Sequence, residues 1–205
     1  IPFAKAHGAR NDFLLTWSTD IPPGDQRAMA RAICDRHAGV GADGWLIVTK
    51  AAPGDTHHIG IRLYNADGSD SEISGNGTRC AAALALDAGL ATGSVRILTG
   101  AGLKTITTVQ PGAAGQEHIL EMHMGRARVE ALHHSLQDLA VNNDTFTSLD
   151  VTILNVGNPQ CAVFVPDFQL DWRSLGHQIE FHREFPNRTN VSFVRVVSDN
   201  KIEVR

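Results

Sequence analysis

Residues 74–89 read SGNGTRCAAALALDAG, and this stretch decides the fold of the chain. It predicts a helix over Asn76–Ala88 that begins after a Ser-Gly-Asn-Gly turn and stops at Gly89. The helix is apolar on almost every face, which is typical of a helix that other structure encloses. We therefore expect strands to surround it.

Short strands separated by glycine-rich turns lie on both sides of this helix. The apolar patterns predict strands over residues 1–6, 13–16, 45–49, 59–64, 95–99, 103–109 and 119–124. A second set begins near residue 120 and continues over residues 151–156, 160–165, 191–197 and 201–204. We also expect helices over residues 25–36, with Asp25 as N-cap, and over residues 175–182. Strands around an enclosed helix predict an α+β fold.

The composition excludes several classes of protein. The chain has 205 residues, 42% of them hydrophobic, and a net charge of −4, without the basic stripe of a nucleic-acid-binding protein. No apolar run approaches the roughly 20 residues that cross a membrane, and residues 1–12 lack the pattern of a signal peptide. Three widely spaced cysteines without a CxxC pair argue against a disulfide framework and a zinc site. We expect a reducing compartment and no metal.

Three polar, glycine-rich clusters are candidates for a functional site: residues 7–13, 35–44 and 65–80. Each alone has the composition of an ordinary turn. The third directly precedes the predicted helix, where unsatisfied N–H groups and the helix dipole favour a carboxylate or phosphate. Gly75 and Gly77 would let a ligand approach the backbone closely. The chain lacks the GxxxxGK[ST] and GxGxxG patterns, which argues against a phosphate loop or a dinucleotide site.

The sequence resembles the diaminopimelate epimerase family over essentially its whole length, because six segments match that family in order and in spacing. The matching segments are His7–Phe13, Cys34–Gly44, Asn65–Gly68, Gly75–Cys80, Gly157–Cys161 and Phe185–Val191. The resemblance implies two pseudo-symmetric halves, each a β-sheet wrapped around a central helix. The first half would be residues 1–119, with its central helix at residues 76–88, and the second residues 120–205.

The family's reaction interconverts LL- and meso-diaminopimelate by moving the α-proton, without pyridoxal phosphate or metal. Two cysteines, at the N-termini of the two central helices, act as base and acid on opposite faces of the substrate. The resemblance therefore implies a cofactor-independent isomerase of lysine and peptidoglycan precursor biosynthesis. It also implies a cytoplasmic homodimer with a small-molecule amino-acid substrate and no nucleic-acid or membrane partner.

Residue by residue, the resemblance assigns two groups of ligand contacts. The asparagines that would hold the distal amino-acid end of the substrate are Asn11, Asn65, Asn158 and Asn190. The residues whose backbone would hold the reacting α-carboxylate are Gly75 and Asn76. Arg36 and Asp43 are expected to fix loops. The three cysteines, Cys34, Cys80 and Cys161, are expected to pack as small buried side chains.

The chain departs from the family pattern in two places. Ser74 stands where the family has its first catalytic cysteine, in a Cys-Gly-Asn-Gly motif. The serine is compatible with altered chemistry, with an inactive paralogue, or with an engineered change that traps substrate. The family also continues past the strand matching Ile202–Arg205 into Glu-Arg-Gly and Ala-Cys-Gly-Thr-Gly segments. We expect the second half of this chain to be incomplete and to lack its central helix.

Two alternatives accompany the epimerase interpretation. One is a related isomerase, of the proline racemase or phenazine biosynthesis type, because one fold can host several chemistries. The four asparagines argue against it, since they suit a substrate with a second amino-acid end. The other is a catalytically impaired paralogue that binds an amino acid, which Ser74 favours.

Overall fold

The computed structural model describes residues 1–141, 144–146 and 148–205. These residues form two compact units, Ile1–Met124 and Gly125–Arg205. Among these residues, no helix combines the length and the apolar composition that a membrane span requires.

Unit 1 contains an eight-stranded sheet and two α-helices. Its elements are β1 (Ala4–Gly8), β2 (Asn11–Trp17), α1 (Gln26–Cys34), β3 (Gly44–Lys50), β4 (Ile59–Asn65), β5 (Asp70–Ser71), α2 (Gly75–Asp87), β6 (Ser94–Thr99), β7 (Gly102–Gln110) and β8 (Ile119–Met122). The strand order is β1-β2-β3-β4-β6-β7-β8, with β5 paired to β4. The β2–β3 and β4–β6 pairs are parallel, because α1 and α2 connect them, and the other pairs are antiparallel.

The sheet of unit 1 wraps around α2, as the sequence predicts. The helix contacts β1, β2, β3, β4, β6 and β8. Its Ala81, Ala82 and Ala85 are fully buried against Phe13 and Leu46 and the rest of one core cluster. Gly89 follows in a left-handed conformation, with φ of 68°, and ends the helix where we predicted.

The opposite face of the same sheet is covered by α1. Asp25 is its N-cap and accepts hydrogen bonds from the N–H groups of Arg27 and Ala28, which confirms the predicted cap. The helix packs against a second core that includes Trp45 and Tyr64. Because the sheet is covered on both faces, its central strands are apolar on both sides.

The described part of unit 2 contains a five-stranded sheet, a separate pair of antiparallel strands and one α-helix. Its elements are β9 (Arg128–Leu136), β10 (Leu139–Val141), β11 (Asp144–Phe146), β12 (Leu149–Asn155), β13 (Pro159–Phe164), α3 (Trp172–Glu180), β14 (Asn190–Ser198) and β15 (Lys201–Val204). The sheet order is β15-β14-β13-β12-β9, and β10 pairs with β11. Leu175 and Ile179 of α3 pack against Cys161, Val163 and Phe193 of the sheet.

The two units repeat one arrangement of elements. In unit 1 the antiparallel β1–β2 hairpin leads through α1 to β3, parallel to β2, and then to antiparallel β4. In unit 2 the β12–β13 hairpin leads through α3 to parallel β14 and antiparallel β15. This repeat confirms the predicted α+β fold with two pseudo-symmetric halves. In the described part of unit 2, α3 is the one α-helix and corresponds to α1, not to α2.

The structure corrects the sequence-based assignment in the middle of the chain. The sequence patterns predict a boundary between the halves near residue 120, but β8 pairs with β7 and so belongs to the first sheet. The two compact units divide at Met124 instead. Strand β9 was not predicted, because its Arg-Val-Glu-Ala-Leu-His-His-Ser-Leu sequence does not alternate cleanly. Its pairing with β12 is irregular as well.

The enclosure of α2 predicts that a larger side chain on its buried face destabilises the protein. Ala85→Leu adds three carbons at a fully buried position, so we expect the free energy of unfolding to fall by about 1–3 kcal/mol. Urea denaturation measures this change. Ala83→Leu, at a partly exposed position of the same helix, is the matched control and should cost less. Equal losses for the two variants would contradict the tight enclosure.

Candidate active site

The N-terminus of α2 carries the first part of the site. Ser74 is the N-cap, with an extended backbone (φ −128°, ψ 120°), and its Oγ accepts a hydrogen bond from the Gly77 N–H at 3.1 Å. The first helical backbone bond runs from Thr78 N to Ser74 O at 2.8 Å. The N–H groups of Gly75 and Asn76 precede that bond, so helix geometry gives them no acceptor within the helix. They are therefore available to an anion.

Two glycines let this helix start lie close to the sheet. A Cβ on Gly8, at the end of β1, would come within 3.3 Å of the Asn76 backbone. A Cβ on Gly77 would come within 3.3 Å of the side chains of Phe13 and Leu46. Larger residues at either position would push the helix start away from the strands.

The β1–β2 turn places Asn11 beside the helix start. Ala9 and Arg10 form this two-residue turn with φ of 53° and 67°. Both values lie in the left-handed region, which matches the twist of a tight hairpin but is costly for residues other than glycine. Asn11 is consequently the first residue of β2, directly opposite Gly8.

A cluster of charged residues holds the start of β2 to the loop after α1. Arg36 binds both oxygens of Asp12, at 2.6 and 3.2 Å, and one oxygen of Asp43 at 2.8 Å. Lys5 Nζ lies 3.2 Å from Asp12. Hydrogen bonds from Arg36 and Lys5 hold the pKa of the Asp12 carboxyl well below its usual range, although partial desolvation opposes the shift. The other oxygen of Asp43 accepts a 2.7 Å hydrogen bond from the Asn11 amide.

Asn11 and Asn76, both predicted ligand contacts, are within hydrogen-bonding distance of each other. The Asn76 amide nitrogen lies 3.4 Å from the Asn11 carbonyl oxygen. Arg79, one turn along α2, donates to the Asn76 carbonyl oxygen. The β1–β2 turn and the helix start therefore share one hydrogen-bond network.

Asn65 lies at the same end of the sheet but faces a different partner. It is the last residue of β4 and pairs with Gly44, which in turn pairs with Phe13 of β2. Its amide nitrogen donates to Ser69 Oγ at 3.0 Å, inside a tight turn. The register thus brings Asn65 to the strand ends that carry Asn11, while its own side chain is held by the 65–69 turn.

The other two predicted asparagines lie together in unit 2. Asn158 follows Gly157, whose φ is 101°, and its carbonyl oxygen accepts from the Gln160 amide at 2.8 Å. Asn190 opens β14, pairs in register with Gln160, and donates to Pro159 O at 3.2 Å.

The repeat makes Asn158 the counterpart of Asn11. Each follows a left-handed turn residue at the tip of a hairpin. Phe13, two residues after Asn11, pairs with Gly44 at the start of β3. Gln160, two residues after Asn158, likewise pairs with Asn190 at the start of β14.

The three cysteines are buried in the cores, away from solvent. Burial raises the pKa of the Cys34 and Cys80 thiols to about 11 and that of Cys161 to about 12. None of them carries the reactive character of a thiol at a helix N-terminus. Among the described ranges there is also no group of three or more His, Cys, Asp or Glu that could hold a metal ion.

Sequence reasoning missed part of this network. Lys5 lies outside every motif, and only the β1–β2 register brings it to Asp12. Asp12 and Arg79 lie within the matching segments, but nothing local showed that they would reach Arg36 and Asn76.

The family model described as diaminopimelate epimerase matches residues 3–130. The diaminopimelate epimerase of Desulforudis audaxviator is 36% identical over 99% of this chain and 74% of its own length. Those of Halothermothrix orenii and Synechococcus elongatus are 33% and 35% identical over 100% of this chain and 75% and 74% of their own lengths.

Solved structures share the fold at low sequence identity. A probable proline racemase from Agrobacterium radiobacter superposes with a TM-score of 0.71 and 15% identity, over 98% of this chain and 68% of that one. A hydroxyproline epimerase from Agrobacterium vitis gives a TM-score of 0.66 and 14% identity over the same shares.

The burial of the cysteines predicts slow reaction with thiol reagents. At pH 8 we expect the folded protein to react with dithionitrobenzoate far more slowly than the unfolded protein, in which all three thiols are accessible. Burial raises the thiol pKa only in the folded state, so the free energy of unfolding should fall as pH rises above about 8.5. Rapid labelling of the folded protein would contradict this burial.

The capping bond of Ser74 predicts a measurable contribution to stability. Ser74→Ala removes the acceptor for the Gly77 N–H, so we expect a loss of about 1 kcal/mol in the free energy of unfolding. Ser74→Thr, which keeps the hydroxyl, is the matched control and should lose less. Urea denaturation of both variants measures the difference, and equal stabilities would show that the cap contributes nothing.

Proposed function

The chain belongs to the diaminopimelate epimerase family, and on that premise we propose that it binds diaminopimelate and moves its α-proton, interconverting the LL and meso forms. Its relatives make it an isomerase of the kind that works without pyridoxal phosphate. The observation that supports the proposal most directly is the start of α2, where Ser74, two available N–H groups and Asn11 lie together.

The helix start suits the reacting end of an amino acid. A carboxylate placed there accepts hydrogen bonds from Gly75 and Asn76 and lies at the positive end of the helix dipole. When the α-proton leaves, negative charge spreads onto that carboxylate, and the same donors stabilise it more strongly than they stabilise the ground state. This difference is what lowers the barrier to removal of a weakly acidic proton.

The side chain at position 74 determines how fast the proton can move. A serine hydroxyl is far less acidic than a thiol, whose reference pKa is about 8.5, so it is a poor base. Its oxygen also accepts the capping bond from Gly77. Ser74 can still donate a hydrogen bond or a proton to the substrate. We therefore expect slow chemistry on this face, and the second candidate function, an amino-acid-binding paralogue with impaired catalysis, rests on this residue.

The asparagines suit the distal end of the same substrate. Together the four side-chain amides provide donors and acceptors, which match an ammonium and a carboxylate on one carbon. We propose this role for Asn11, Asn65, Asn158 and Asn190. We also propose a cytoplasmic homodimer that serves lysine and peptidoglycan precursor synthesis, as the family membership suggests.

Exchange of the substrate α-proton tests the proposal. LL-Diaminopimelate is incubated in deuterated water with the protein or with Ser74→Cys, and loss of the α-proton signal is followed by NMR. The thiol at the helix start is a stronger acid, and its thiolate a usable base, so we expect exchange to be faster by about a hundredfold or more in Ser74→Cys. Ser71→Cys, which places a thiol nearby but off the helix start, is the control and should not accelerate exchange.

The other outcomes separate the alternatives. Equal exchange by the protein and Ser74→Cys refutes the role of position 74. Calorimetric binding of diaminopimelate without exchange in either form supports the binding paralogue. Binding of proline in place of diaminopimelate supports an isomerase of the proline racemase type.

A further inference from the structure

We propose that Asp43, held by Arg36, is a positioning residue that orients the Asn11 amide so that its carbonyl oxygen faces the ligand. The part of the site formed by Asn11 then binds an ammonium group in preference to a carboxylate. The inference rests on the proposed function, because it concerns the same substrate.

The contact between Asn11 and Asp43 can form in only one orientation of the amide. A carboxylate accepts hydrogen bonds and donates none, so the Asn11 atom 2.7 Å from Asp43 Oδ2 must be the NH₂ group. The same carboxylate oxygen accepts from the backbone N–H of Asp12 at 3.0 Å. The Asn11 carbonyl oxygen consequently points away from Asp43.

Asp43 is itself fixed at both carboxylate oxygens. Arg36 donates to Oδ1 at 2.8 Å while binding Asp12 through two further contacts. The planar guanidinium matches two carboxylates at once and leaves Asp43 little freedom to rotate. The Asp43 backbone is held as well: its N–H donates to Asp12 O at 2.9 Å, and its C=O accepts from the Ala66 N–H at 3.1 Å.

Three hydrogen bonds in series, all donated in the same direction, fix the orientations of the Asn76 and Asn11 amides. Arg79 donates to Asn76, Asn76 donates to Asn11, and Asn11 donates to Asp43. Arg79, at one end of this series, can only donate hydrogen bonds, and the Asp43 carboxylate, at the other end, can only accept them. If Asn11 turned over, its carbonyl would face the carboxylate and its NH₂ would face the NH₂ of Asn76. Both contacts would be repulsive, so the two charged ends keep the amides in one orientation.

The orientation leaves an acceptor for the ligand. Within the described residues the Asn11 carbonyl oxygen accepts one hydrogen bond, the long 3.4 Å contact from Asn76. A carbonyl oxygen has two lone pairs, and Asn11 is only half-buried, so it can accept a second hydrogen bond from solvent or ligand. An ammonium group satisfies that oxygen, whereas a carboxylate would be repelled by it.

Substitution of Asp43 by asparagine tests the inference. The introduced amide has one acceptor oxygen where the carboxylate has two, so Arg36 and Asn11 compete for it and the Asn11 amide is held less firmly in one orientation. The probes are LL-diaminopimelate and L-2-aminopimelate, which lacks the distal amino group. We expect Asp43→Asn to weaken diaminopimelate binding on the order of tenfold and to leave aminopimelate binding almost unchanged, as measured by calorimetry. Equal weakening of both ligands would mean a merely structural role and would overturn the inference.

Two further variants act as controls. Asp70 is also a carboxylate between arginines, Arg27 and Arg62, but it does not touch Asn11. Asp70→Asn should leave the affinity of both ligands unchanged. In an Asn11→Ala background, Asp43→Asn should have no further effect on the preference for diaminopimelate. A full additional loss there would show that Asp43 does not act through Asn11.

An NMR measurement separates this inference from the proposed function. The side-chain NH₂ signals of ¹⁵N-labelled Asn11 should shift in Asp43→Asn and stay in place in Asp70→Asn, with no ligand present. Unchanged Asn11 signals in Asp43→Asn overturn the inference, even if the protein binds diaminopimelate. If the signals shift but neither ligand binds the parent protein, the proposed function fails while the orienting contact stands.

Discussion

The small side chains of α2 are the constraint on which the rest of unit 1 depends. The sheet closes tightly around the helix because the helix side chains that face it are short: Ala81, Ala82 and Ala85 are fully buried against the larger side chains of the strands. Because the helix is enclosed, its first turn is also pressed against the strands, where Gly8 and Gly77 leave room. The packing that forms the core therefore also delivers free N–H groups to the site.

The charged residues around this helix start have a geometric function more than an energetic one. Arg36 and Asp43 are both substantially exposed, and exposed ion pairs contribute little to stability because water and salt screen them. They act instead through geometry: they hold the loop after α1 against β2 and determine which atoms of Asn11 face outward. Removing them should therefore alter recognition more than folding.

The sequence predicts the local features of this fold better than its long-range ones. The helix α2, its end at Gly89 and the cap at Asp25 follow from short patterns, because a helix satisfies its own hydrogen bonds nearby. Strand β9 and the place of β8 depend on partners elsewhere in the chain, so local periodicity could not reveal them. The same holds for the site. Its residues were found by resemblance, but the link from Arg79 to Asp43 exists only in the folded register.

The capping hydroxyl of Ser74 places two selective demands on one atom. An oxygen is a good acceptor for the Gly77 N–H but a poor base, whereas sulfur is a weak acceptor and a good nucleophile. Selection for turnover at this position must therefore accept a weaker helix start, and a lineage freed from that selection gains stability by a change from cysteine to serine. A single substitution at position 74 can thus raise the stability of the fold and at the same time slow proton transfer.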